Sequence, residues 1–528
     1  MTAIGVWLHV VVPILLVALL ARALWVIVAV EVCARWLLTA PAPTGTDRSQ
    51  APWLVILLPM LREQSVAPET IAAFTALEYP HGRAAVVVIT TERETTARAR
   101  HRSQLPALAA HQPLRAEHLR GIFPATRCRA VAEDVSAAPP NDHLAILAER
   151  FDAEPTTAEV VAALTADQPA NRLPLVHLHQ PDVGGRKAGQ LNFALDHLDQ
   201  VLGPLGWHDT DDTNSTFAVV YDADAIPDAR TLHAFANAVA TRIAHTGTTP
   251  ALIQQQRLPL LGRRPFPNGP IGLLLTGEWA YQLRRSLGIE LARIRLHAYL
   301  FSSPLPPWLR TWLRPMVYAV GCGMAVHLPT IRALGGFPEP MEDLGTGHRL
   351  SLLGAQLTAT TVAVLDEPYT EPTGLANLHA LAFTASARPD RHAQAVAHLP
   401  ATISRPAKAL LITREWADEA AWLIGAPLAA AAVACAWWAG PQWVAIAVLG
   451  ILLHGPLLTA RLLALAPVLH AAVRPPRSAD RLPLASPRHP VAVIAASPLQ
   501  PFVRMAGPWK LIFRKVTRRH RGFGKTER

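Results

Sequence analysis

Three long apolar stretches stand apart from a chain whose middle carries only short ones. From Ile4 to Leu38 the residues are apolar except His9, Arg22, Glu31 and Arg35, and a helix needs about 20 such residues to cross a hydrocarbon core. A second stretch runs from Ala420 to Trp438. A third runs from Trp443 to Leu469, broken by His454, Pro456 and Arg461. Gly440-Pro441-Gln442 between them is a tight, uncharged turn, so the pair predicts a transmembrane hairpin. A cleaved signal peptide fits the first stretch poorly, because no Lys or Arg precedes Arg22 and the run is too long. Basic residues follow it (Arg35, Arg48), which places the N-terminus outside and the next domain in the cytoplasm. Val491 to Met505 is apolar but short, with Pro498, Pro501 and Arg504 in it. An interfacial or re-entrant piece is expected there, since a full span would carry the basic tail (Arg514, Lys515, Arg518, Arg519, Arg521) outside.

Between residues 50 and 400 the pattern changes. Trp53 to Leu58, Ala84 to Thr90 and Phe217 to Tyr221 are short apolar runs bounded by polar or turn residues, as buried parallel strands are. Helical stretches, such as Pro68 to Glu78 and Gly189 to Leu198, lie between them. Alternating strands and helices predict an α/β sheet whose chemistry sits at the strand C-termini. The segment 97–174 is rich in Ala, Pro, His and Arg and reads as an insertion with helices at Asp142–Phe151 and Thr157–Ala166. The expected organisation is a transmembrane helix (1–40), an α/β domain (50–400), an interfacial linker (401–418), a transmembrane hairpin (419–470) and an interfacial, basic, cytoplasmic end (471–528).

Composition agrees with this division. Of 528 residues 51% are hydrophobic and 17% charged, against about a quarter charged in soluble domains. An ordinary soluble protein, a disordered chain and a transporter made only of spans are all excluded. The net charge of +10 favours an anionic membrane surface over nucleic acid, because the basic residues flank apolar runs. Cys33, Cys128, Cys322 and Cys435 are scattered, with no zinc-ligand spacing, and a reducing compartment fits.

Four motifs could carry chemistry. Tyr221-Asp-Ala-Asp-Ala-Ile-Pro227 runs from an apolar strand into Asp222 and Asp224, and two carboxylates so spaced can converge on a hard cation such as Mg²⁺ or Mn²⁺. Alone, it is as well read as a solvated turn. Gly184-Gly-Arg-Lys-Ala-Gly-Gln-Leu-Asn-Phe-Ala-Leu195 puts cations and free N–H groups where phosphate oxygens could sit. It lacks the Gly-Lys-Ser/Thr of a Walker loop, and alone it is a basic surface loop. Gly335-Gly-Phe-Pro338 leads to Glu342-Asp343, where a carboxylate could take a proton from a hydroxyl, or simply cap a helix. Leu58 to Gln64 and Thr90-Thr-Glu92 place Glu63 and Glu92 at the ends of the first two strands.

In this order the set resembles the membrane-integrated family 2 glycosyltransferases, the cellulose- and hyaluronan-synthase-like enzymes. Pro59-Met60 with Glu63 resembles the "P-x-x-N-E" motif, Gly185 to Asn192 the "K-A-x-x-L-N" signature and Tyr221 to Asp224 the D-x-D. Gly321-Cys-Gly-Met324, Gly335-Gly-Phe337 and Glu342-Asp343 resemble the acceptor-side block. The resemblance implies a Rossmann-like GT-A fold, a nucleotide-diphospho-sugar transferase domain in the cytoplasm, joined to transmembrane α-helices. It implies that Glu63, Glu92 and Asp222 contact the nucleotide and that Lys187 lies near the diphosphate or sugar. Asp224, with Asp222, would hold Mg²⁺ or Mn²⁺. Asp343 would deprotonate the acceptor, with Glu342 beside it. The implied reaction is inverting, from a UDP-sugar by the family's habit, to a lipid-linked or cell-envelope glycan at the plasma membrane. Membrane lipids are expected partners and nucleic acid is not.

The chain also departs from the family. Arg62 stands where Asn is usual, and Thr91-Glu92 where an Asp is usual. Leu378 to Asp390 contains no Gln-x-x-Arg-Trp, with His379 and Phe383 only loosely placed, so non-processive transfer is expected. A degenerate family member serving as a membrane scaffold is the alternative. A nucleotidyltransferase is disfavoured because Leu58 to Gln64 contains no glycine.

Overall fold

The computed structural model describes residues 5, 7–124, 127–209, 213–260, 269–339, 341–366, 404–476 and 489–517. Leu378 to Asp390 and the last basic residues (Arg518, Arg519, Arg521) lie outside them. A seven-stranded mixed sheet forms the centre, in the order β3-β2-β1-β4-β6-β5-β7. The strands are β1 (Trp53–Pro59), β2 (Ala84–Thr91), β3 (Leu175–Gln180), β4 (Thr216–Val220), β5 (Leu252–Pro259), β6 (Met324–His327) and β7 (Leu357–Asp366). β1 is parallel to both β2 and β4, and β2 to β3. Only β6 is reversed, antiparallel to β4 and β5, while β5 and β7 run parallel. β1, β2 and β4 carry β-branched and aliphatic side chains on both faces because both faces are covered.

The helices named below are α1 (Val12–Thr39), α2 (Ala67–Thr75), α3 (Glu92–Ala109), α4 (Thr157–Ala166), α5 (Lys187–Asp196), α6 (Thr231–Thr246), α7 (Pro270–Arg285), α8 (Glu342–Leu353), α9 (Arg405–Ala439), α10 (Pro441–Leu452), α11 (Leu458–Ala472) and α12 (Gln500–Val516). On one face of the sheet α5 packs through Ala188, Leu191 and Leu195 against Val55, Val87 and Val220, with Phe337 and Leu350. On the other, Phe74 of α2, Val161 of α4 and Phe235 of α6 cover Ile56, Val88 and Val219. Full burial of each such side chain contributes about 1.5–3 kcal/mol. The segment 97–174 has a small core of its own, including Leu105, Leu119, Val131, Leu147 and Phe151.

Among the described residues three helical segments are long and apolar enough to cross a membrane: His9–Thr39, Ala420–Ala439 and Pro441–Ala472. α1 packs on α9 and α10 through Val12, Leu16, Ala432, Ala436 and Ala447. Its other end joins the sheet domain through Val26 and Val30 against Leu287, Leu458 and Leu462, in a cluster that also takes Leu258 and Leu365 from the sheet. Glu31 of α1 binds Arg461 of α11 with both carboxylate oxygens, at 2.5 and 2.9 Å. The Asp228 carboxylate accepts from the Arg474 N–H at 2.9 Å, tying the D-x-D turn to the chain just after α11. The Val491–Met505 stretch is not one span: a short helix, Pro490–Ala496, breaks near Pro498 and α12 follows, Trp509 donating to the Leu423 carbonyl of α9.

Candidate active site

The parallel strands end at one edge, and the reversal of β6 makes it begin where they end. That one topological fact brings residues more than a hundred positions apart together, at the edge where α/β sheets place their ligands. The loop after β1, the Asp222–Asp224 turn after β4, Gly321–Gly323 before β6 and Asp366 at the end of β7 meet there.

Lys187, the first residue of α5, is the hub. Its Nζ donates to Asp222 Oδ1 at 2.6 Å and lies 3.0 Å from Glu342 Oε1. Asp343 sits beside this pair, its Oδ2 accepting from the Gly321 N–H at 2.9 Å and its Oδ1 from the Leu344 N–H at 2.6 Å. A methyl group at Gly321 would lie 2.9 Å from Lys187 Nζ, 3.1 Å from Glu342 Oε1 and 3.3 Å from Asp343 Oδ2. The three side chains therefore close on the space the glycine leaves. Burial, and then the neighbouring Glu342 carboxylate, push Asp343 up to about 6, against the opposing pull of Lys187 and the two N–H donors. Lys187 is itself held well above the usual lysine range: Asp222, Glu342 and Asp343 outweigh the cost of its burial.

The motif around Lys187 does more than carry charge. Gln190 donates to the carbonyls of Met60 (3.1 Å) and Ile89 (2.7 Å), clipping α5 to the ends of β1 and β2. Asn192 accepts from the Phe337 N–H at 2.7 Å and donates to the Phe337 carbonyl at 2.9 Å. That two-bond clamp holds the Gly335-Gly-Phe337 loop, where Gly336 has φ +88° and leaves no room for a Cβ over Asn192. The loop in turn fixes where α8, with its acidic pair, begins.

Glu63 and Glu92 stand apart from this hub. Glu63 is buried behind β1, its N–H donating to Thr157 Oγ1 at 2.9 Å. Glu92 opens α3 and pairs with His179 Nε2 at 3.2 Å. The acid that organises this corner is Glu94, which the sequence motifs do not single out. It accepts from the N–H of Arg62 (3.0 Å), the side chain of Gln64 (2.9 Å) and the N–H of Thr157 (2.9 Å). Arg62, at the position where the resembling motif has Asn, has φ 55°, a left-handed conformation that Asn tolerates and that costs an arginine about 1–2 kcal/mol. Glu94→Ala is expected to lose about 3 kcal/mol, because three donors lose their acceptor. Thermal unfolding reads this, and Glu94→Gln, which keeps an acceptor oxygen, should fall less.

Asp222, Cys322 and Asp366 present ligand atoms within 4.8 Å of one another. Burial, with the charges of Asp366, Asp222 and Asp224, pushes the Cys322 thiol well up, so it stays protonated. Two carboxylates beside a neutral thiol fit a hard divalent cation, which takes oxygen ligands. Asp366 was not visible as a candidate from the sequence. Arg257 holds its other side at 2.9 Å.

No protein-family profile and no curated protein matches the chain. Among solved structures it is similar to the mannosyltransferase PcManGT from Pyrobaculum calidifontis, described in complex with GDP-mannose and Mn²⁺: TM-score 0.43, 17% identity, over 96% of this chain and 99% of that one. It is also similar to S. aureus TarS 1-349, with TM-score 0.33 and 12% identity over 80% of this chain and 86% of that one.

Proposed function

We propose that this chain is a membrane-bound inverting glycosyltransferase with a GT-A-type domain in the cytoplasm. It moves a sugar from a nucleotide-diphosphate donor, a UDP-sugar in the first instance, to a lipid-linked or cell-envelope glycan hydroxyl, one sugar at a time. The observation that carries this is the Lys187 hub: a cation at a helix start holds one carboxylate after β4 and one of the acidic pair opening α8. A diphosphate leaving group needs that cation, and a neutral hydroxyl needs a carboxylate able to take its proton at neutral pH. Asp343, raised to about 6, has that character. In the transfer the acceptor oxygen bonds to the anomeric carbon, Asp343 takes the hydroxyl proton, and the carbon–oxygen bond to the diphosphate breaks with its electron pair leaving on the diphosphate. Asp222 and Asp366, with Asp224, would hold a divalent cation, which supplies charge neutralisation for the departing diphosphate.

Membrane placement is supported by what the candidate spans leave uncovered. Ile14, Trp25 and Val28 on α1 and Trp437 and Trp438 at the hairpin tip are more than half exposed, as lipid-facing and interfacial side chains are. The test is donor turnover by the full-length protein in detergent, with Mn²⁺ or Mg²⁺ and a panel of UDP-, GDP- and dTDP-sugars. Metal-dependent release of one nucleoside diphosphate, reduced at least a hundredfold in Asp224→Asn, is the expected result. Absence of both turnover and metal-dependent nucleotide binding with every donor would sink the proposal in favour of a non-catalytic scaffold.

A further inference from the structure

A cavity of about 490 Å³ opens between α1, α7, α9, the α10–α11 junction and the start of α12. Its wall is two chemistries. One part is small and apolar: Leu19, Gly425, Ala426, Ala429 and Val433 from α1 and α9. The other part is five arginines, Arg22, Arg284, Arg285, Arg293 and Arg504, and among the described residues no Asp or Glu lines the cavity. Two carboxylates stand behind the arginines, Glu278 paired with Arg504 and Glu290 with Arg285 at 2.8 Å, so among the described residues five guanidinium groups face two carboxylates. Arg284 is 6% exposed, its Nε has no hydrogen-bond partner among the described residues, and its Nη1 meets His454 Nε2 at 3.2 Å. Burial, together with Arg22 and Arg504, pushes Arg284 down to about 10. Arg22 and His454 lie in segments proposed to cross the membrane, where charged and polar groups are costly and mark a ligand path.

We propose that this cavity binds a phosphate-bearing amphiphile, its phosphate on Arg22, Arg284 and Arg504 and its hydrocarbon chain along the small apolar face of α9. This rests on the transferase reading and names the class of its acceptor: a lipid whose phosphate lies between the chain and the accepting hydroxyl. Tyr318, under the guanidinium groups of Arg285 (5.4 Å) and Arg293 (6.0 Å), lines the cavity. Three residues on, Gly321 touches Lys187 and Asp343, and three residues span at most about 10 Å. One short stretch of backbone, Tyr318 to Gly321, thus joins the cavity wall to the acidic pair.

The test titrates full-length protein in dodecyl maltoside micelles with dodecyl phosphate, and separately with inorganic phosphate, following the unfolding midpoint. Dodecyl phosphate is expected to raise the midpoint and inorganic phosphate to leave it unchanged. Arg284→Gln and Arg22→Gln should each need about tenfold more dodecyl phosphate or higher, the measure of a lost charged hydrogen bond, and Arg284→Lys should recover part of the response. Asp224→Asn should bind dodecyl phosphate like the parent, so failure of donor chemistry and failure of this site are read separately. An equal response to inorganic phosphate would reduce the cavity to a plain anion site. An unchanged response in both glutamine variants would make the effect one of the micelle. Either result overturns the proposal.

Discussion

Lys187→Met is expected to abolish donor turnover, by about 10³ in kcat/KM, and to destabilise the fold as well. The first effect follows from charge. A single fixed cation aimed at a developing oxyanion is worth about 10²–10³ in rate, and Lys187 additionally keeps Asp222 and Glu342 in place at 2.6 and 3.0 Å. The second follows from what remains. Without Lys187, the Asp222, Glu342 and Asp343 carboxylates face one another. With the lysine side chain 27% exposed, the cost falls between that of a solvated and a buried pair, about 1–3 kcal/mol. The pH dependence separates this from a general packing defect. Lys187 pulls Asp343 down, so its loss should move Asp343 above 6. The variant's stability deficit should shrink as the pH falls towards 4 and the carboxylates protonate. Lys187→Met unfolding at the parent's midpoint at every pH would contradict the hub.

The sequence pattern located β1, β2 and β4 to within a residue or two because these strands are apolar on both faces. It missed β5, whose Gln254, Gln255 and Gln256 read as polar although all three are buried. Two of the amides find partners no local window contains: Gln254 donates to the Cys322 carbonyl at 3.0 Å and Gln255 to Thr231 at 3.0 Å. Missing β5, β6 and β7 meant missing Asp366, whose place depends on β7 lying parallel to β5. The motifs fared differently by kind. Lys187, Asp222, Glu342 and Asp343 were singled out only because their motifs follow one another in the order of a known family, each being ambiguous alone. Gln190, Asn192 and Glu94 were not assigned work, since a clamp is defined by backbone groups distant in sequence. The cavity arginines were legible only as exceptions, Arg22 and His454 interrupting apolar runs and Arg504 breaking the last one.

Asp343→Asn is expected to lower kcat/KM by about 10²–10⁴, the usual contribution of a positioned base, while making the protein more stable at neutral pH. The two effects share one cause. Burial and Glu342 raise Asp343 to about 6, against an ordinary aspartate near 3.9 in the unfolded chain. A carboxylate raised in the folded state favours folding fully only below its unfolded value, and that contribution is lost as pH rises through the folded one. At pH 7 the ionised side chain therefore opposes folding, and the isosteric amide removes that opposition, although its single carbonyl oxygen can accept from only one of Gly321 and Leu344. A net gain of about 1 kcal/mol is expected, allowing for partial solvent access and for the one N–H left without an acceptor, and it should fade as pH falls from 7 to 4. In the active parent the same group sets the acid limb of kcat/KM, which should climb tenfold per pH unit below about 6 and level above it. Glu342→Gln takes away the neighbouring charge that lifts Asp343, so its acid limb should shift to lower pH. An Asp343→Asn protein that keeps the parent's turnover, or that is destabilised at pH 7 as at pH 4, would remove Asp343 from the role of base and leave the hub as a structural ion cluster.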